Sequence, residues 1–148
     1  MDFKKLSIEG LLIVTPQVYQ DDRGYFFESF NQKEFNSYLR KEVDFVQDNQ
    51  SKSSRDTLRG LHFQKAPNAQ GKLVRVIDGE IFDVVVDLRK ESKTFGHSLS
   101  VILTSESFQA FYVPEGFAHG FQVISNTATV FYKTTDFYNT ETEVTLAW

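Results

Sequence analysis

The chain has 148 residues, a formal net charge of −4, 15 phenylalanines and no cysteine. That length is enough for one domain, residues 1–148, with an aromatic-rich core, and the missing cysteine excludes disulfides, thiolate metal centres and a thiol nucleophile. An acidic chain without a Lys/Arg run argues against nucleic acid as the main partner, while leaving room for a phosphorylated small molecule that needs only a few local cations.

The N-terminal stretch "MDFKKLSIEGLLIVTPQ" has only the four-residue apolar run Leu11–Val14, too short for a signal-peptide core or a membrane span, so a cytoplasmic protein without a membrane partner is expected. "NQKEFNSYLR" predicts a helix: Asn31 can cap it, Glu34 falls three residues later, and Phe35 with Tyr38 or Leu39 can face inward. "TLRGLHFQ", residues 57–64, has strand character but carries Arg59 and His62. "KLVRVIDGEIFDVVVDL" predicts two strands joined at Asp78-Gly79, a dipeptide suited to the positive φ angles of a tight hairpin. Beyond that turn, Phe82, Val84, Val86 and Leu88 share an apolar face, and Ile81, Asp83, Val85 and Asp87 a mixed one. Further strands are expected around 98–103, 109–113, 119–124 and 127–137. Many short strands with one or two short helices predict an all-β sandwich or barrel of jelly-roll type, whose interior can hold a ligand.

Three histidines are candidates for chemistry. His97 follows a glycine near a turn and reads as a surface residue. His119, in "VPEGFAHGF", opens a strand beside a loop and can serve either structure or a barrel mouth. His62 reads either as a hydrogen-bonded core histidine or as a base delivered into a cavity. Metal binding is disfavoured, because barrel metal sites place histidines two apart on one face. Here "HFQ" puts Gln64 at that spacing. Lys72, Arg23, Glu28 and Tyr132 each have an ordinary structural reading, but together with His62 they offer a base, an acid and cations. Ala128, Val130, Tyr132 and Thr134 share one strand face.

Taken in order, "DDRGYFFESF", "FVQDNQSKSSRDTLRGLHFQ", "AQGKLVRVIDGEIFDVVVDLR", "FYVPEGFAHGF" and "YKTTDFY" make the chain resemble the dTDP-4-dehydrorhamnose 3,5-epimerases over about residues 8–143. The resemblance implies a cupin-type jelly roll that needs no cofactor and no metal. It also implies a homodimer in which N-terminal strands join the partner's sheet. The substrate would be a nucleotide-diphosphate sugar, dTDP-4-dehydro-6-deoxy-D-glucose, epimerised through an enolate in dTDP-rhamnose biosynthesis. Carried over by position, His62 would be the base, Tyr132 the acid on the opposite face, and Lys72 the group that polarises the C4 keto oxygen. Arg23, Glu28, Gln47, Asp48, Asn49, Arg59, His119 and Glu143 would bind the nucleotide sugar, with Arg59 and Arg23 on the diphosphate. Alternatives in the same fold are an epimerase acting at C3 or C5 alone and an impaired sugar-nucleotide-binding relative.

Two features strain the resemblance. In a strict strand Arg59 and His62 point to opposite faces; Gly60 between them could mark a bulge that re-aims one side chain, or Arg59 could serve a site across an interface. The family pattern also continues past a tryptophan with an Asn-Asp pair whose aspartate supports the catalytic histidine. This sequence reads as short there, stopping at Trp148, and Asp83 or Asp87 is the candidate substitute. Asp56 also stands where the family more often has a small turn residue.

Overall fold

Short strands with one apolar face bury that face most simply by laying one sheet on another. The computed structural model describes residues 1–148 and does this with strands β1 (Asp2–Lys5), β2 (Leu12–Thr15), β3 (Val18–Asp21), β4 (Gly24–Phe27), β5 (Gln47–Ser54), β6 (Leu58–Gln64) and β7 (Lys72–Asp78). The remaining strands are β8 (Glu80–Asp87), β9 (Ser98–Thr104), β10 (Ala110–Val113), β11 (Phe117–Val123), β12 (Thr127–Thr134) and β13 (Glu143–Thr145), with one helix, α1 (Gln32–Leu39). One sheet runs β1-β2-β10-β7-β12-β5 and the facing sheet β13-β6-β11-β8-β9, all pairs antiparallel. From β5 to β12 the chain crosses between the sheets at every step except β8 to β9, which pair as neighbours in one sheet, in the jelly-roll manner expected. No ladder joins the two sheets edge to edge, so the expected barrel is an open sandwich.

Asp78-Gly79 corrects the reading of a hairpin. β7 and β8 do not pair with each other; β7 lies between β10 and β12, and β8 between β11 and β9. The dipeptide is the corner at which the chain crosses from one sheet to the other. Gly79 does adopt φ +83°, and Thr127 and Ser125 pack too closely for a side chain there. A tight turn and a sheet-to-sheet corner make the same local demand, so the sequence signal is shared and the partner strand is decided elsewhere.

Along β8 it is the mixed face that turns inward. Ile81, Asp83, Val85 and Asp87 are all fully buried, whereas Phe82 is on the outer surface. Both carboxylates find partners: Asp87 accepts from the Arg89 guanidinium and from the Ser92 and Thr94 hydroxyls, and Asp83 meets His119. Burial of paired carboxylates costs far less than burial of free ones. The bonds from Arg89 hold the Asp87 carboxyl well below the usual range.

Between the sheets, Val74, Val76, Ile81, Val85, Leu103, Phe111, Val123 and Val130 form the central core. A second core lies on the outer face of the six-stranded sheet, under α1. Asn31 caps that helix by accepting from the Glu34 amide at 3.0 Å, and Phe35, fully buried, meets Tyr112 edge-on. Tyr38 and Leu39 pack beside it. Asp56 sits in the left-handed region (φ +64°), which a short polar side chain tolerates better than most.

The bulge expected at Gly60 is present. His119 pairs with His62 but Phe121 pairs with Arg59, so β6 spends one residue more than β11 over that interval. Gly60 takes φ +104°, and a Cβ there would come within 2.6 Å of the His119 carbonyl oxygen. The extra residue turns Arg59 and His62 toward the same cavity.

Candidate active site

The two sheets part at one end and enclose a polar cavity of about 400 Å³, lined by Asn49, Arg59, His62, Lys72, His119, Tyr132 and Glu143 among others. It continues into a second space of about 300 Å³ that adds Gln47, Gln64, Gln70 and Tyr138. Strand registers explain the convergence. Tyr132 stands opposite both Asn49 and Val74, and Thr134 opposite Gln47 and Lys72, so one wall presents Gln47, Asn49, Lys72 and Tyr132. The other wall presents His62 beside His119, with Glu143 on β13 opposite Gln64. His62 and Tyr132 thus belong to different sheets and face one cavity.

Burial lowers the His62 pKa below its ordinary value; Glu143 opposes that shift, while Lys72, His119 and Arg59 add to it. The ring is therefore neutral near neutral pH and can accept a proton. Burial also lowers Lys72, to about 8, against the pull of the Asp83 and Glu143 carboxylates. Tyr132 moves the other way: burial raises it, keeping the phenol protonated, though Arg59 opposes this. A neutral base, a cation and a protonated phenol around one cavity are the groups needed to take a proton from carbon, hold the resulting oxyanion and return a proton.

His119 is 7% exposed, and its Nε2 lies 2.9 Å from each oxygen of the buried Asp83 carboxylate. This corrects the reading of Asp83 or Asp87 as support for His62: Asp83 serves His119, and Asp87 is occupied by the loop after β8. No carboxylate hydrogen-bonds the His62 ring within this chain; Glu143 acts on it through space. Arg59 lies at the cavity edge, where its Nε donates to Ser53 Oγ at 2.9 Å, and its terminal nitrogens make no hydrogen bond within the chain.

Three of the expected binding residues stand apart from this cavity. Asp48 alternates with Gln47 and Asn49 and so points from the other face of β5, where it accepts from Lys133 at 2.9 Å. Arg23 lies at the tip of the β3–β4 hairpin, its side chain 90% exposed and bonded to Asp21. Glu28 accepts from the Asn31 side chain beside α1. His97 is exposed, as expected.

Residues at the site that sequence reasoning did not single out include Gln70, Tyr138 and two serines, Ser51 and Ser53. The two serines follow Gln47 and Asn49 at period 2, a signal hidden because β5 is polar on both faces. Tyr138 donates to Glu143 at 2.7 Å across the mouth, an arrangement set by the loop between β12 and β13 that has no local signature.

Comparison with known proteins adds to this geometry. Residues 5–148 match the family model described as dTDP-4-dehydrorhamnose 3,5-epimerase. The dTDP-4-dehydrorhamnose 3,5-epimerase of Salmonella typhimurium is 51% identical over 144 residues, which cover 97% of this chain and 79% of that one. Among solved structures, the dTDP-6-deoxy-D-glucose-3,5-epimerase of Legionella pneumophila, in complex with dTDP-4-keto-L-rhamnose, is 46% identical with a TM-score of 0.95, covering 99% of this chain and 78% of that one. A 3′-monoepimerase of Streptomyces bikiniensis, in complex with dTDP-quinovose, is 32% identical with a TM-score of 0.90, covering 95% and 71%.

Proposed function

The chain belongs to the dTDP-4-dehydrorhamnose 3,5-epimerase family, and from that premise we propose how its own residues carry the reaction. It is an isomerase that inverts C3 and C5 of dTDP-4-dehydro-6-deoxy-D-glucose to give dTDP-4-dehydro-L-rhamnose, in dTDP-rhamnose formation. The observation that carries the residue assignment is the placement of His62 and Tyr132 on facing sheets across one cavity. Inversion at carbon requires a proton to leave one face of the sugar ring and another to arrive on the opposite face. His62 removes the proton, and Tyr132 delivers its phenolic proton from the other wall. Both C3 and C5 flank the C4 carbonyl, so one base serves each in turn.

Removing a proton beside a ketone moves an electron pair onto the carbonyl oxygen, and that oxyanion must be stabilised as it forms. The Lys72 ammonium does so, in surroundings where a charge interaction is worth more than in water. His119, held by Asp83, lines the same wall. The electrons balance within the substrate, and the proposed mechanism calls for no redox cofactor or metal. Arg59, with two terminal nitrogens available, holds the diphosphate by charge-assisted bonds, and Gln47, Asn49 and Glu143 bind the rest of the nucleotide sugar.

Arg23, Glu28 and Asp48 enter this reading differently. The β3–β4 hairpin pairs with no other strand, and its Tyr19, Tyr25 and Phe26 are 62%, 62% and 70% exposed. We infer a homodimer in which this hairpin brings Arg23 and Glu28 to the partner's cavity, with Asp48 acting on β5 through its pair with Lys133. Residues 1–148 then act as one catalytic domain, in the cytoplasm, where nucleoside diphosphate sugars are made.

The deciding experiment is incubation with dTDP-4-dehydro-6-deoxy-D-glucose in D₂O, with deuterium at C3 and C5 followed by NMR across pH. Incorporation at both carbons is expected. Its rate falls in acid as His62 becomes protonated, at a pH below the ordinary histidine midpoint, and falls again above about 8 as Lys72 loses its proton. Replacing Lys72 by arginine, which does not titrate there, should remove the alkaline fall; its persistence would assign that limb to another group. The similarity to a 3′-monoepimerase supports a second reading, inversion at C3 alone, which deuterium confined to C3 would establish.

A further inference from the structure

Gln64 shares the inward side of β6 with His62, two residues away, and is 6% exposed. A primary amide offers two N–H donors and a carbonyl acceptor, and here each is used. Nε2 donates to the carbonyl oxygens of Asn68, at 2.6 Å, and Phe137, at 3.1 Å. Oε1 accepts from the Asn139 amide at 2.8 Å. One side chain on the strand of the base therefore ties down the loop after β6 and the loop between β12 and β13. The second loop carries Tyr138 and leads into Glu143, which stands directly opposite Gln64. Its other anchors are mostly amides: Asn139 donates to Asn68, Asn68 to Asp136, Gln70 to the Asp136 carbonyl, and the Tyr138 amide to Gln47.

We propose that Gln64 is a positioning residue that fixes Tyr138 and Glu143 at a set distance from the His62 ring. A buried polar group left without a partner is costly, so removing the amide strands two carbonyls and an N–H unless the loop moves to rehydrate them. Loop movement carries Glu143 away from the base. The charged and titratable groups that face His62 are Arg59 on its own strand, His119 on β11 with Asp83 behind it, Lys72 on β7, Tyr132 on β12, Glu143 on β13 and Tyr138 on the loop before β13. Of the groups acting on the His62 charge, Glu143 alone favours the protonated ring.

The test is titration of the histidine ring protons by NMR in the full chain without substrate, the His62 signal being identified by its loss in His62→Asn. In Gln64→Met, which keeps side-chain length and loses all three bonds, the His62 midpoint is expected to move to lower pH. Glu143→Gln moves it in the same direction, and Gln64→Met added to Glu143→Gln produces no comparable further displacement. A midpoint unmoved by Gln64→Met, or one displaced by the full sum of the two single effects, overturns the assignment. Should Gln64→Met fail to fold, Asn68→Ala, which loosens the same loop from its outer side, must give a smaller displacement of the same sign; none would overturn it equally. A kinetic arm, an increase in KM of about tenfold in Gln64→Met as one or two hydrogen bonds' worth of ordering is lost, rests on the epimerase reading. If the unmodified chain incorporates no deuterium, that reading fails and the titration still decides Gln64.

Discussion

Replacing His62 by alanine is expected to lower deuterium incorporation at both C3 and C5 by about 10³-fold, in the range lost when a positioned general base is removed. Loss at both carbons is the informative part, because the two carbons share one carbonyl and a single base facing the Tyr132 wall is proposed to serve both. Binding of dTDP should be little changed, since the proposed diphosphate contact is made by Arg59, which the substitution leaves in place. The substitution is also structurally clean. His62 is half-buried and makes no side-chain hydrogen bond within the chain, so its removal strands no partner, and the thermal midpoint should stay close to that of the unmodified protein. The same truncation at His119 would be harder to interpret, because it leaves the fully buried Asp83 carboxylate unpaired at a cost of about 3–5 kcal/mol. Isotope incorporation in His62→Ala at the unmodified rate would remove His62 from the base role and move attention to His119.

Much of this site is legible in the sequence because the residues that build it sit on strands with strong local signals. The even positions of β12 announce a shared face, and that face does line the cavity with Val130, Tyr132 and Thr134. The helix is equally plain: an asparagine cap and an aromatic residue four positions on are enough, and both behave as read. Gly60 is the more instructive case. Its presence between Arg59 and His62 suggested a bulge, and the register shift opposite it is what brings both side chains to one space.

What escaped the sequence escaped for physical reasons. β5, "QDNQSKSS", has no apolar alternation, because one of its faces lines a polar cavity and the other meets Lys133 and solvent. Without that alternation nothing local separates Gln47 and Asn49, which face the site, from Asp48, which does not. At Asp78-Gly79 the backbone requirement was read correctly and the topology was not, since positive φ serves a corner between sheets as well as a hairpin. The pairing of Asp83 with His119 joins residues 36 positions apart across neighbouring strands. Such a pair depends on register alone. Arg23, at the tip of the β3–β4 hairpin, and Glu28, just beyond β4, lie away from this chain's own cavity, a placement that no local pattern in the sequence announces.

Replacing Tyr132 by phenylalanine should separate two events that His62→Ala stops together. The change deletes one hydroxyl and keeps the ring that packs against the central core, so the fold is retained. Proton removal needs His62 and Lys72, both untouched. Once the enolate has formed, the only wall that can complete inversion has lost its donor, because burial keeps the Tyr132 phenol protonated and no other donor in the cavity occupies its position. His62, now protonated, can still return a proton to the face it came from. After exchange with solvent that return is a deuteron, and the recovered sugar carries deuterium with its original configuration. Formation of the inverted product is therefore expected to fall by about 10²–10³-fold, with isotope incorporation reduced far less. NMR of the recovered nucleotide sugar reads both quantities in one sample, through the deuterium content and the ring coupling constants. Equal losses in the two would mean that Tyr132 acts in proton removal as well, and the division of the cavity into a basic wall and an acidic wall would have to be abandoned. Deuterated, uninverted sugar would instead be direct evidence that the facing sheets each handle one proton.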